Sequence, residues 1–172
     1  SQGTGANVVI PNGGIRMIAT DGAGSGAAVT DVLDVLGGTG NVGLGSGAFG
    51  TGLTTGTDNV AIGENAGDAL TTGSDNTFVG DEAGGATTTG AQNTAIGEGA
   101  LTTNSTGSHN TALGRSALLS ATTADNNVAI GSGAMDTTTT GTQNVAIGKK
   151  AMDANTTGSY SVAVGYQALD AQ

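Results

Sequence analysis

Few side chains in this sequence could do chemistry, and each has a plainer reading beside it. His109 is the only histidine. It precedes a recurring Asn, and the equivalent positions carry Asp58, Asp75, Gln92, Asn126, Gln143 and Tyr160. A variable polar position reads as solvated surface, and no Ser/His/Asp arrangement is argued by the spacing. Gly45-Ser-Gly47-Ala-Phe-Gly50 matches the glycine spacing of a dinucleotide fingerprint. That motif needs a following helix and an acidic residue about 20 positions on, inside a strand–helix–strand unit. No helical pattern follows Gly45. Asp58 and Asp75 occupy equivalent positions and could attract calcium. Calcium takes about six or more oxygens, and the Gly-Gly-x-Gly-x-Asp repeat of calcium-binding rolls is missing.

The remaining candidates are no stronger. Asp81-Glu82 and Lys149-Lys150 fall at equivalent positions and read as solvated charges, the Lys pair being able to meet a glycan or phosphate. Tyr160 and Tyr166 could stack on a sugar, but isolated surface tyrosines usually do not. Asn104-Ser-Thr106 and Asn155-Thr-Thr157 are glycosylation sequons that arise from a Thr-rich turn. No catalytic, cofactor-binding or metal-binding residue is assigned. The expectation is a protein that is not an enzyme and carries no cofactor.

Composition sharpens the exclusions. The chain has 172 residues and no Cys, which removes disulfides, thiolate metal sites and cysteine nucleophiles. Its four cations are Arg16, Arg115, Lys149 and Lys150, too few for a nucleic-acid footprint. No apolar run approaches the ~18 residues of a membrane span, so neither nucleic acid nor membrane insertion is expected. There is no signal-peptide pattern, and the chain opens on Ser1 and ends at Gln172 without a cap, as a processed or excised piece would. Leu, Ile, Val and Phe number 31, and formal net charge is −10. By composition alone that pair points to disorder.

The repeat overrides the composition. Asn59-Val-Ala-Ile-Gly63 recurs eight times in related form, from Asn41–Gly45 to Ser161–Gly165, at a first spacing of 18 and then 17 residues. Three residues past each Gly stands an Ala: Ala48, Ala66, Ala83, Ala100, Ala117, Ala134, Ala151 and Ala168. The next position is Phe49, Leu101, Leu118, Met135, Met152 or Leu169, but Gly at Gly67 and Gly84. Thr pairs and another Gly precede most copies of the Asn. A register held this long is not a property of disordered chains.

Within one unit, Val60 and Ile62 alternate with Asn59, Ala61 and Gly63, the period of a short strand. Seventeen residues are too few for a strand–helix–strand crossover, which takes ~30. The unit fits one coil of an all-β solenoid: a strand, a Gly turn, a second short extended segment, and a Thr-Thr-Gly turn back. Stacked coils pair as parallel strands, and the Asn column from Asn59 to Asn144 becomes an amide ladder. The larger face, Val60 and Ile62, is expected to be the core. A charge at Ile130, between Leu113 and Ile147, is then expected to break the stack. The small face, with Ala61, Ala95, Ala112, Ala129, Ala146 and Ala163, is expected to meet a neighbouring chain.

Asn-Val-Ala-Ile-Gly-x-x-Ala resembles the head repeats of trimeric autotransporter adhesins. The longer unit, Asn-Thr-Ala-Ile-Gly-x-x-Ala-Leu followed by a Thr-Gly-Ser turn, resembles the shafts of phage tail fibres. So does the lead-in Val32-Leu-Asp-Val-Leu-Gly-Gly-Thr-Gly-Asn-Val-Gly-Leu-Gly45. The repeats cover residues 41–172, at a period longer than adhesin heads usually keep. The resemblance implies a β-roll of about eight coils, left-handed, with three chains around one axis. It also implies a structural, receptor-binding fibre: the homotrimeric shaft or head of an extracellular virion tail fibre that attaches to a host surface. The alternative is a bacterial cell-surface adhesin head. In either case the receptor is a glycan or protein. A solenoid carbohydrate-active enzyme fits less well, because such enzymes line one face with acidic, basic and aromatic groups.

Residues 37–172 form the repeat domain. Residues 1–36 differ: Val8-Val-Ile-Pro11 and Ile15-Arg-Met-Ile18 read as strands around a Pro-Asn-Gly-Gly turn, and Val29–Leu36 as a third apolar stretch. This segment is a β-rich cap or an adapter, or else an arm that orders on assembly.

Overall fold

The computed structural model describes residues 16–20, 29–36, 40–50, 52–53 and 55–170. Among them the architecture is all-β, with one sheet of ten strands in sequence order. Strands β1 (Arg16–Thr20) and β2 (Val29–Leu36) are antiparallel to each other, and β2 is antiparallel to β3 (Asn41–Leu44). From β3 onward every pairing is parallel: β4 (Val60–Ile62), β5 (Thr77–Val79), β6 (Thr94–Ile96), β7 (Thr111–Leu113), β8 (Val128–Ile130), β9 (Val145–Ile147) and β10 (Val162–Val164). Eight parallel strands about 17 residues apart make a β-solenoid of about seven turns. The expected strand at Val8–Pro11 lies outside the described residues.

The register places equivalent residues over one another, as Ala112 over Ala129 and Leu113 over Ile130. Bonding between coils continues around the corners. Leu101 N donates to Ala117 O at 3.0 Å, and Thr88 N to Ser105 O at 2.9 Å. The far side of the coil is a run of turns and not the second extended segment the sequence suggested. Its path depends on left-handed backbone at residues other than glycine. Leu101, Leu118, Met135 and Met152 have φ of 54° to 56°. An L-residue adopts this region at a cost of about 1–2 kcal/mol. Here it turns a large side chain into the coil, where all four are buried. The glycine closing each strand answers a different demand. At Gly63 φ is 140°, and a Cβ would collide with the carbonyl of Gly80 in the next coil.

The expected assignment of the two strand faces is reversed. Ala61, Ala95, Ala112, Ala129 and Ala146 are fully buried inside the coil, together with the second Ala column at Ala66, Ala83, Ala100, Ala117, Ala134 and Ala151. Ile62, Ile96 and Leu113 point outward and are 37%, 37% and 43% exposed. The physical reason is the width of the coil. Two walls built from 17 residues stand too close for a branched residue on each. The interior admits Ala from both walls and one Leu, Met or Phe per coil as filler. The Ala column is therefore not a surface for a neighbouring chain. Ile130 is half-buried at the outer face and does not lie in the core.

The asparagine ladder forms, and it lies inside. Asn76 Nδ2 donates to Asn59 Oδ1 at 3.0 Å in the preceding coil and to Gly90 O at 3.0 Å in the following one. Its backbone N–H also donates to Asn59 Oδ1, at 3.0 Å. Each amide from Asn59 to Asn127 thus ties three coils together, and the column from Asn41 to Asn144 is buried. Buried amides are tolerated because their donors and acceptors are matched.

Candidate functional site: the outward face of the parallel sheet

The parallel strands carry two outward ranks. One runs Val42, Val60, Thr77, Thr94, Thr111, Val128, Val145 and Val162; the other runs Leu44, Ile62, Val79, Ile96, Leu113, Ile130, Ile147 and Val164. Parallel pairing spaces them about 4.8 Å apart along the stack. Leu44, Ile62, Ile96, Leu113 and Ile147 are exposed by 37% to 43%, and Val162 and Val164 by more. A continuous aliphatic strip of this kind is unusual on a free soluble surface and marks an interaction site. Strand alternation builds it. The turn glycines, such as Gly63, let the strands stack in one register, so the strip is unbroken from Leu44 to Val164.

The edge of this face that follows the strands carries charges of both signs. The two residues after each strand-closing Gly form a corner. Its occupants in successive coils include Glu64, Asp81, Glu82, Glu98, Arg115, Lys149 and Lys150, all exposed. Arg115 Nε lies 3.5 Å from Glu98 Oε2, with both side chains largely in water. Lys150 Nζ donates to Asp153 Oδ2 at 3.0 Å. That hydrogen bond raises the Lys150 pKa. The pKa of Asp136, one coil earlier, is raised by partial burial and by the charge of Asp153. Beside the corner is a cleft of about 280 Å³ lined by Asn65, Asp68, Glu82, Gly85, Ala86 and Thr102.

The candidates from sequence are not brought together. His109 sits at an exposed left-handed corner (φ 59°), its backbone N–H donating to Ala91 O at 3.0 Å. Gly45–Gly50 is a strand end and turn with no helix behind it. Asp58 and Asp75 are exposed at the same corner of successive coils, and no cluster of three metal-ligating side chains occurs among the described residues. Tyr160 and Tyr166 are 80% and 68% exposed and flank opposite ends of β10. Asn104 is fully buried, so in the folded chain its sequon is closed to a modifying enzyme. No helix among the described residues is long and apolar enough to cross a membrane.

The outward face is the site that sequence reading missed, because it was taken for the core. A signal for it was present. Departures from Ala on the strand occur only where the filler position compensates: Gly43 with Phe49, and Phe78 with Gly67 and Gly84. Such exchanges of volume mark an interior. Searches of family models, of curated proteins and of solved structures all return no match to this chain, which leaves its own residues to carry the argument about function.

Proposed function

We propose that this chain is a segment of a structural, receptor-binding fibre that assembles through its outward sheet face as a homotrimer outside the cell. The reading taken is the shaft or head of a virion tail fibre that attaches to a host-surface glycan or protein. The bacterial surface adhesin head is the alternative and uses the same shaft physics. The supporting observation is the aliphatic strip. A chain with so little large apolar content places thirteen of its 29 Ile, Val and Leu on one outward face, seven of them exposed. A second and third copy would cover that face, and hydrophobic contact contributes about 25 cal/mol per Å² of apolar surface removed from water. The number three comes from the resemblance of the repeat. Nothing in the chemistry of the exposed groups favours catalysis, and no enzymatic activity is proposed.

The test is particle mass by light scattering. Three chains per particle are expected, and a chain that stays monomeric at micromolar concentration rejects the reading. Ile130→Asp separates assembly from folding. As an outward, half-exposed substitution it should cost the isolated solenoid about 1 kcal/mol. It should nevertheless dissociate the trimer, because each interface would bury a carboxylate without a partner. A variant that unfolds outright would return Ile130 to the core.

A further inference from the structure

We propose that the charged corner beside the sheet face is a second self-association surface, on which another copy docks side by side and antiparallel. Charge on this corner is sorted along the stack. Glu64, Asp81, Glu82 and Glu98 occupy the coils after β4, β5 and β6. Arg115, Lys149 and Lys150 occupy the coils after β7 and β9. All are exposed.

The sorting has a centre. Lys149 is equivalent to Glu64 five coils earlier, and Lys150 to Asn65. Arg115 follows Glu98 by one coil. A two-fold axis crossing the stack between the levels of Glu98 and Arg115 therefore places Glu64 of each copy opposite Lys149 of the other. It also places Glu98 opposite Arg115, and Asp81 opposite the neutral Ser132. No like charges meet at the corner positions themselves; four residues further on Asp68 faces Asp153 of the other copy, with Lys150 beside them. The contact is isologous, so it closes on itself. It is also bivalent: two Lys–acid ends stand about 24 Å apart at ~4.8 Å per coil.

The cleft makes the acidic end a receptor for a lysine. Gly85 carries no side chain where the coils on either side have Asp68 and Thr102. Asp68, Glu82 and Asn65 line the gap, and the atoms nearest the space a Gly85 side chain would fill are the Glu82 and Asn65 carbonyl oxygens. None of these acids has an ion-pair partner among the described residues. The antiparallel arrangement brings the Lys149-Lys150 pair of the second copy to this level. Lys150 then stands between its own Asp153 and the cleft. The proposal needs the solenoid corner alone, so it does not depend on how many chains share the sheet face.

Mass measured against salt tests it. At about 10 mM salt, where the screening length is ~30 Å, the particle mass should be at least twice that at about 1 M, where the length is ~3 Å. The high-salt mass independently reports whether the underlying particle is a trimer. One variant carries Lys149→Glu and Lys150→Glu, the other Glu64→Lys and Glu82→Lys. Lys150 already occupies Glu82's corner position, and all four side chains are exposed, so both variants should fold, the Lys149→Glu and Lys150→Glu variant melting slightly lower for loss of the Lys150–Asp153 bond. Neither should double alone at low salt, and their equimolar mixture should. A parent mass that does not change with salt overturns the proposal, as does a mixture that stays apart.

Discussion

Phe78→Ala should lower the stability of the solenoid by about 3–5 kcal/mol, the range for removing a buried aromatic ring. Phe78 is fully buried and is the largest side chain in the interior. Its ring occupies the space that the filler residues would take in two coils. A Cβ at Gly84 would stand 2.5 to 2.7 Å from three ring atoms, and one at Gly67 2.8 Å from Cδ2. Gly84→Leu in the parent should therefore also be severely destabilising, because the ring has nowhere to move. The double change gives that coil Ala on the strand and Leu at the filler, the combination of Ala95 and Leu101 in the next coil. It should be markedly more stable than the sum of the two single losses, by more than 2 kcal/mol, which is within the range for residues in direct contact. Denaturant unfolding of all four proteins completes the cycle. Additive losses would mean that the ring and the filler position do not share one space.

Asn110→Ala should cost on the order of 3 kcal/mol, from several bonds lost at once. Asn110 Nδ2 donates to Asn93 Oδ1 at 3.2 Å and to Ala124 O at 2.7 Å. Its Oδ1 accepts from the Asn127 backbone N–H at 3.1 Å and from Asn127 Nδ2 at 3.2 Å. Truncation orphans the Ala124 carbonyl, the Asn127 backbone N–H and one of the two Asn127 amide hydrogens in a buried column. Asn110→Asp keeps the shape but loses the donor and adds a buried charge. Burial would raise the folded-state pKa of that Asp above its unfolded value. Its penalty should thus be least in acid and grow as pH rises through the carboxylate range. Thermal melts at pH 4 and pH 7 check both the size and the sign. An Asp variant that melts like the parent at both pH values would remove the ladder from the account of stability.

The repeat, the parallel stacking and the asparagine ladder were all legible in the sequence, because each depends only on what recurs at what spacing. The inside and outside of the strand were not. Alternation of Val60, Ala61 and Ile62 defines two faces without saying which is interior. The habit of placing larger residues inside fails when the coil is too narrow for them. The left-handed backbone at Leu101 and Met135 was equally hidden, since these are residue types that ordinarily avoid it. There the interior volume to be filled outweighs local preference. Asn59 shared a face with Ala61, and a stacked amide column beside small apolar residues is better matched to an interior than to water. That pairing, read together with Phe78 and its two glycines, carried the answer that alternation alone did not.

The ladder also decides how the shaft bears load. A pull along its axis passes through every coil in turn, so the amide column acts as links in series and the weakest link sets the tensile limit. From Asn59 to Asn127 each amide nitrogen reaches back to the Asn before it while its oxygen accepts from the Asn after it; at Asn144 only the backbone N–H reaches back, to Asn127 Oδ1 at 3.0 Å. At the next coil the residue is Ser161, whose backbone N–H donates to Asn144 Oδ1 at 3.0 Å. A hydroxyl on a shorter stem offers no amide nitrogen to reach back to Asn144 and forward at once. The last two joints, Asn127–Asn144 and Asn144–Ser161, are each held within the column by one bond where the earlier joints have two. Under tension these last joints yield first, and the coils before them stay intact while they open.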